Sequence, residues 1–204
     1  FQKAIDDLAL KMMIKFNREK AIVYNTIQMY RWDRLDYMNN MLNTHSDIIF
    51  GFKLVRGAYM EKEREIANRL KIKSPICKDK ESTDINFNLA IDLVFKNLDR
   101  ISFVCGSHNE TSILKILNMM SKKNINKNDD KIWFGQLYGM SDNISFNLGI
   151  KGYNVFKVLP FGPVRNLIPY LIRRAEENTS VKGQTGRELQ LILDERKRRK
   201  LEKN

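Results

Sequence analysis

Histidine and cysteine are scarce in this chain, with two of each in 204 residues. His45 and His108, with Cys77 and Cys105, lack the paired spacing of a zinc site, so no metal is expected. Two isolated cysteines make no disulfide framework and fit a reducing compartment. Proline (4) and glycine (10) are too few for a linker-rich or low-complexity chain. No apolar run reaches the length that spans a bilayer. Neither a GxGxxG turn after a strand nor a P-loop is present, which removes the Rossmann and Walker nucleotide sites.

What is there is globular composition, 43% hydrophobic and 29% charged, enough for one sizeable core. The net charge of +12 invites a nucleic-acid reading. Much of the excess is local, however, in Lys122, Lys123, Lys127 and Lys131 and in the run Arg196 to Lys200. Aromatic residues do not interleave with these runs as a single-strand stacking platform requires, so no nucleic-acid partner is expected. Contact of the basic tail, about residues 182–204, with an anionic membrane surface stays open. The first eighteen residues read as an amphipathic helix containing Asp6 and Asp7, unlike a signal or transit peptide. A start at Phe1 rather than Met is what a fragment would show.

Helix and strand signals alternate. Helical spacing over 4–18 precedes a β-branched run at 21–26 that ends near Gln28. Further strands are predicted at 48–55, 101–105, 132–135 and 154–159, with helices over 31–43, 60–70, 83–98, 110–121, 141–149, around Tyr170, and over 185–200. Short, nearly continuous apolar strands between helices predict a parallel sheet covered by helices. A doubly wound sheet and a (β/α)8 barrel both satisfy that pattern. Polar residues gather just past the strand ends (Gln28, Arg56 and Tyr59, His108 and Asn109, Gln136), where barrels keep their active sites, and this favours the barrel. Five strands do not close it, so about three more are expected upstream.

Tyr170, Arg173, Arg174 and Glu177 fall at i, i+3, i+4 and i+7, on one face of a helix. Leu167, Leu171 and Ala175 supply an apolar face to dock it. Two adjacent guanidiniums repel unless an anion lies across them, and their forks match a carboxylate. A solvated face with an Arg173–Glu177 pair is the competing reading.

Five stretches now stand in order: Lys53-Leu54-Val55-Arg56-Gly57-Ala58-Tyr59, Ser107-His108-Asn109-Glu110, Phe134 to Met140, Pro160-Phe161-Gly162-Pro163, and Tyr170-x-x-Arg173-Arg174-x-x-Glu177-Asn178. Together they resemble the proline dehydrogenase family in its eukaryotic mitochondrial form. The resemblance covers nearly all of residues 1–195. It implies an α/β fold, a (β/α)8 TIM-like barrel in which residues 1–204 form the C-terminal part of a flavin-binding domain. It further implies FAD as cofactor, L-proline as substrate, Δ1-pyrroline-5-carboxylate as product and a quinone as electron acceptor. The implied location is the matrix side of the mitochondrial inner membrane, with peripheral association.

Residue by residue, the resemblance implies that Arg173 and Arg174 clamp the substrate carboxylate and that Tyr170 packs beside the substrate. Tyr59 and Leu137 would wall the pyrrolidine pocket. Glu177 would pair with Lys53 and close the site. Gln28, Lys53, Val55, Arg56, Gly57 and Ala58 would face the flavin, and Ser107, His108 and Asn109 its nucleotide part. His108 is given no proton transfer.

Two positions depart from the family. Val158 stands where the proline-specific branch commonly has Tyr and hydroxyproline dehydrogenases have Ser, so hydroxyproline is an alternative substrate. Phe161 replaces a frequent Tyr. A lysine and an aspartate of the family's earlier strands lie outside the chain, which leaves an inactive fragment and a non-catalytic basic binding module as the other readings.

Overall fold

The computed structural model describes residues 2–180 and 184–201, with the side chains of 175–189, 191 and 192 outside the description. The elements run α1 (Gln2–Phe16), β1 (Asn25–Gln28), α2 (Arg34–Thr44), β2 (Phe50–Val55), α3 (Met60–Leu70), α4 (Lys80–Lys96), β3 (Ile101–Gly106), α5 (Glu110–Lys122), β4 (Ile132–Leu137), α6 (Asp142–Ile150), β5 (Val155–Val158), α7 (Val164–Ser180) and α8 (Gln184–Leu201). Two compact units result, Phe1–Val158 and Leu159–Asn204.

All five strands of the first unit are parallel, in the order β1-β2-β3-β4-β5. Each strand lies beside its sequence neighbour. A doubly wound sheet reverses its order at a switch point, whereas consecutive units of a (β/α)8 barrel do not. The order therefore decides between the two architectures that the sequence pattern left open, in favour of five consecutive barrel units.

Strand side chains alternate between faces, and burial separates them. Ile27, Phe50, Phe52, Leu54, Ile101, Phe103, Cys105, Ile132 and Phe134 are all 0% exposed and pack with Met38, Phe87, Ile91, Val94, Ile116 and Met120 of the helices. Phe50 stacks on Phe52 at 5.5 Å, and Phe95 meets Phe103 edge-on at 6.0 Å. This layer between sheet and helices is the core.

Helix starts follow their caps. The Asp79 side chain accepts from the Ser82 backbone N–H at 2.7 Å and opens α4, three residues before the expected start at 83. Asn109 does the same for α5, accepting from Ser112 N–H at 2.9 Å. One expected strand shortens: 21–24 joins no strand, and β1 begins at Asn25. The cause is Asn17, whose side-chain oxygen accepts from the N–H groups of Ile22 (3.0 Å) and Val23 (2.8 Å) while its amide donates to the Val23 carbonyl (2.8 Å). Those bonds tie the segment down and compete with sheet pairing.

A buried ionic network closes the α1–β1–α2 corner. Arg34 donates to Asp6 at 2.6 Å and, in a fork, to both oxygens of Asp33. Asn25 donates to the other Asp6 oxygen at 2.9 Å, and Arg31 forks onto Asp33. Burial pushes the Asp33 carboxyl up, but the hydrogen bonds from Arg31 and Arg34 outweigh it and bring it down to about 2.

In the second unit, α7 carries Tyr170, Arg173 and Arg174 half-buried, with the Arg174 guanidinium 5.3 Å from the Tyr170 ring centroid. Ile168, Leu171 and Ile172 are about half exposed, at 50–51%. The expected apolar docking face is thus the more exposed one at Leu171. Ala175 lies outside the described side chains. Among the described residues, no helix is long and apolar enough to cross a membrane.

Candidate active site

The face of the sheet opposite the core carries Thr26 and Gln28, Lys53 and Val55, Val104 and Gly106, Trp133, Gly135 and Leu137, and Phe156 and Val158. The parallel register sets Gln28 beside Val55, Gly106 beside Gly135, and Leu137 beside Val158. Near the strand C-termini this face is small and apolar, with one charge. A methyl group on Gly135 would lie 2.7 Å from the Phe156 ring, so the ring settles on the strand only because glycine is there.

That charge is Lys53. It is half-buried and has no ion-pair or hydrogen-bond partner among the described residues. Burial pushes its ammonium below the ordinary lysine value. An uncompensated cation on an apolar floor is costly to folding, and an electron-rich or anionic ligand would relieve it.

Above the floor, the loops after β2, β3 and β4 are tied together. Arg56, just past β2, lies against α4: Nε donates to Asp84 at 2.6 Å, and the guanidinium sits 4.4 Å from the Phe87 ring centroid. Its Nη1 and Nη2 donate to the hydroxyls of Ser107 and Ser112, each at 2.9 Å. The Arg56 guanidinium is thus engaged on the helix side by Asp84, Ser107 and Ser112, in keeping with a strand parity that matches Leu54 rather than Lys53 and Val55.

Gly57 has φ +116°, and a Cβ there would meet the Tyr30 ring at 2.4 Å. The close approach lets Tyr30 N–H reach the Arg56 carbonyl at 2.7 Å. The Tyr30 hydroxyl is buried without a hydrogen-bond partner, and burial, then Glu63, push it up to about 12. Ala58 is half-buried and Tyr59, which precedes α3, is 42% exposed.

After β3, Ser107 is 6% exposed, and its carbonyl accepts from Gln136 at 3.3 Å. His108 Nδ1 lies 2.9 Å from the Ser141 hydroxyl, which links the β3 and β4 loops. Lys157 of β5 donates to the Leu137 carbonyl (3.3 Å) and the Met140 carbonyl (2.6 Å) and pairs with Asp142 at 2.7 Å. Leu137 is thereby held from behind. Gln28 is tied differently, donating to Gln2 at 3.0 Å.

The first unit thus gathers Gln28, Lys53, Val55, Gly57, Ala58, Tyr59, Ser107, His108, Asn109 and Leu137 at the strand C-termini. Tyr170, Arg173 and Arg174 share α7, and the Glu177 side chain lies outside the described residues. Asp84, Ser112, Ser141, Lys157 and Tyr30 were not singled out by sequence reasoning. Each acts through a partner distant in the chain, and no local pattern marks such a pairing. A shallow cleft lined by Lys15, Phe16, Arg18, Glu19, Lys20 and Ile22 precedes β1, at the other end of the strands, and contains none of the expected residues.

The sequence model of the family described as proline dehydrogenase matches residues 2–187. The chain belongs to the proline dehydrogenase family. It is 40% identical over 204 residues to proline dehydrogenase 1, mitochondrial, of Homo sapiens, which covers 98% of this chain and 34% of that protein. It is 38% identical over 202 residues to hydroxyproline dehydrogenase of Xenopus laevis, over 96% of this chain and 43% of that protein. The chain thus spans between a third and a half of the length of these relatives.

Among solved structures, proline utilization A (PutA) from Bdellovibrio bacteriovorus inactivated by N-propargylglycine matches at TM-score 0.70 and 27% identity, over 78% of this chain and 17% of that one. A PutA mutant from Bradyrhizobium japonicum matches at TM-score 0.72 and 23% identity, over 88% of this chain and 18% of that one, and supports the fold.

Proposed function

We propose that this member of the proline dehydrogenase family takes part in the FAD-dependent oxidation of L-proline to Δ1-pyrroline-5-carboxylate, in the mitochondrion, with a quinone as the electron acceptor. The observation that carries the reading is Lys53: a half-buried ammonium without a counter-charge among the described residues, on a small apolar floor at the strand C-termini. Such a floor fits a flat heteroaromatic ring edged with hydrogen-bond acceptors, and the uncompensated cation fits a group that gains negative charge on reduction. The residues present fit FAD on these grounds.

Lys53, Val55, Gly57 and Ala58 would hold the ring system, and Ser107, His108 and Asn109 the nucleotide part. When bound, FAD supplies the acceptor for the hydride that leaves proline C5, while the ring nitrogen loses its proton and the C=N bond forms. The chain's own residues bind and orient. Arg173 and Arg174 take the carboxylate, each through a charge-assisted hydrogen bond, and Tyr170, Tyr59 and Leu137 wall the ring. Lys157 and the β4–α6 loop keep Leu137 in place.

The test uses protein expressed from its complete coding sequence. Purified protein is expected to be yellow, and anaerobic L-proline to bleach the long-wavelength flavin band. Bleaching by neither L-proline nor trans-4-hydroxy-L-proline would overturn the reading. In the same protein, Arg173→Met should raise KM for proline by about tenfold or more while flavin stays bound.

A second substrate reading rests on Val158, half-buried beside Leu137 in the register. A small aliphatic side chain leaves room for a 4-hydroxyl and offers it no hydrogen bond. Comparing kcat/KM for the two imino acids distinguishes them, and a preference for hydroxyproline would replace proline as the substrate.

A further inference from the structure

Ser107 is 6% exposed and Ser112 2% exposed, and both hydroxyls receive a hydrogen bond from the same guanidinium. Arg56 has donors only. At Ser107 the oxygen also accepts from the Asn109 N–H at 3.1 Å. A serine hydroxyl has two lone pairs and one hydrogen. With both lone pairs taken, Ser107 has its hydrogen left to give, and no acceptor among the described residues receives it. Asn109 in turn caps α5 by accepting from Ser112 N–H, so Arg56, Ser107, Asn109 and Ser112 form a closed circuit. Asp84 neutralises the guanidinium at 2.6 Å, and the Phe87 ring fixes its plane.

We propose that Arg56 is a positioning residue. It does not touch the cofactor; it locks the β3–α5 turn and forces the Ser107 hydroxyl to act as a donor, so that this turn binds an acceptor-rich group, the nucleotide half of the flavin. The inference rests on the flavin site proposed above and assigns a role to a side chain that points away from it. A serine free to rotate would accept as readily as donate, and in some orientations it would present a lone pair to an anion. The guanidinium removes those orientations before the ligand arrives.

The experiment titrates FAD into flavin-stripped protein of the complete coding sequence and follows quenching of flavin fluorescence. Arg56→Met is expected to weaken FAD binding by about tenfold or more, as is Ser107→Ala. The double variant should be no weaker than the worse single one, because both remove the same directed hydrogen bond. Ser107→Thr, which retains the hydroxyl, should bind FAD within about twofold of the wild type. KM for proline at saturating FAD should stay unchanged in Arg56→Met, since the carboxylate clamp is elsewhere.

Hydrogen–deuterium exchange supplies a readout free of flavin, with faster exchange expected at the amides of Asn109 and Ser112 in Arg56→Met and unchanged exchange in α2, which Arg56 does not touch. If Arg56→Met unfolds, Arg56→Gln takes its place: its shorter amide cannot serve both hydroxyls, and it should also weaken FAD binding, wild-type affinity counting against the proposal. Wild-type FAD affinity in Arg56→Met, or independent additive losses in the double variant, would overturn this inference alone. No FAD binding by the wild-type protein would overturn it together with the proposed function.

Discussion

On the helix side of the sheet, Phe50, Phe52, Phe103 and Phe134 are 0% exposed, whereas on the opposite face Lys53, Val55, Val104, Leu137 and Val158 all keep part of their surface open. The same strands carry both sets at alternate positions. Each face also holds a charge, and the charges are treated in opposite ways. On the helix side, Asp6, Arg34 and Asp33 satisfy one another in forks. On the opposite face, Lys53 has no partner among the described residues. The satisfied network belongs to folding. The unsatisfied charge is a cost that the fold carries where a ligand can lift it.

The difference is broken most directly by cutting the same kind of volume from each face. Phe103→Ala should cost about 3–5 kcal/mol, since a ring packed against Phe95 leaves a cavity that its neighbours cannot fill. Leu137→Ala on the half-buried face should cost about 1 kcal/mol. Urea unfolding followed by circular dichroism measures both, and equal losses would show that the two faces are not distinct in their contribution to stability.

At the rim between the faces, Gly57→Ala should cost about 2 kcal/mol. Two effects add there: a positive φ that L residues rarely adopt, and a Cβ 2.4 Å from the Tyr30 ring. Tyr30→Ala is itself costly because it deletes a buried ring, but in that background Gly57→Ala should cost less than it does alone, because the clash is gone and only the backbone strain remains. Strictly additive losses would assign the whole cost of Gly57→Ala to the backbone.

Acid sensitivity tests the satisfied network. Asp33 is held at about 2 against an ordinary 3.8, so its folded-state value is depressed. Its contribution is therefore present above pH 4 and is lost as pH falls from there toward 2. The size is about 2 kcal/mol at full ionisation. Asp33→Asn should flatten the stability profile in that window, and an unchanged slope would mean that Arg31 and Arg34 do not hold the carboxylate in solution.

Much of this division could be read from the residues, for identifiable reasons. Strand positions follow from apolar runs such as Ile48 to Val55, whose alternation cannot shift without turning Phe50 and Phe52 to the wrong side. The gathering of Arg56, His108, Asn109 and Gln136 past the strand ends points to a barrel rim from the residues alone. The strand order did not follow from pattern, because both α/β architectures alternate in the same way. Arg56 was read as a cofactor contact because the motif around it is local, while Asp84, Ser107 and Ser112, which claim its guanidinium, lie 28, 51 and 56 residues away. The late start of β1 was hidden for a similar reason, since a β-branched run predicts a strand and the Asn17 side chain, which ties down Ile22 and Val23, opposes it.

The smallest effect on stability carries the most about function. Lys53 has a folded-state value below its ordinary 10.5 because burial disfavours the ammonium. A lowered lysine value means that the unfolded chain binds more protons, so stability rises with pH between the folded value and 10.5. At neutral pH the full cost of the charge is present. Lys53→Met keeps the stem length, removes the charge, and should raise the urea midpoint at neutral pH by the equivalent of about 0.5 kcal/mol. That gain should shrink as pH approaches the ordinary lysine range, where the wild-type amine no longer carries its charge. The same variant, in protein of the complete coding sequence, should bind FAD less tightly than the wild type. A residue that weakens the fold and strengthens the ligand is the mark of a binding site. A variant that loses stability instead would mean that the ammonium has a partner in the folded protein, and the proposed flavin site would lose its principal support.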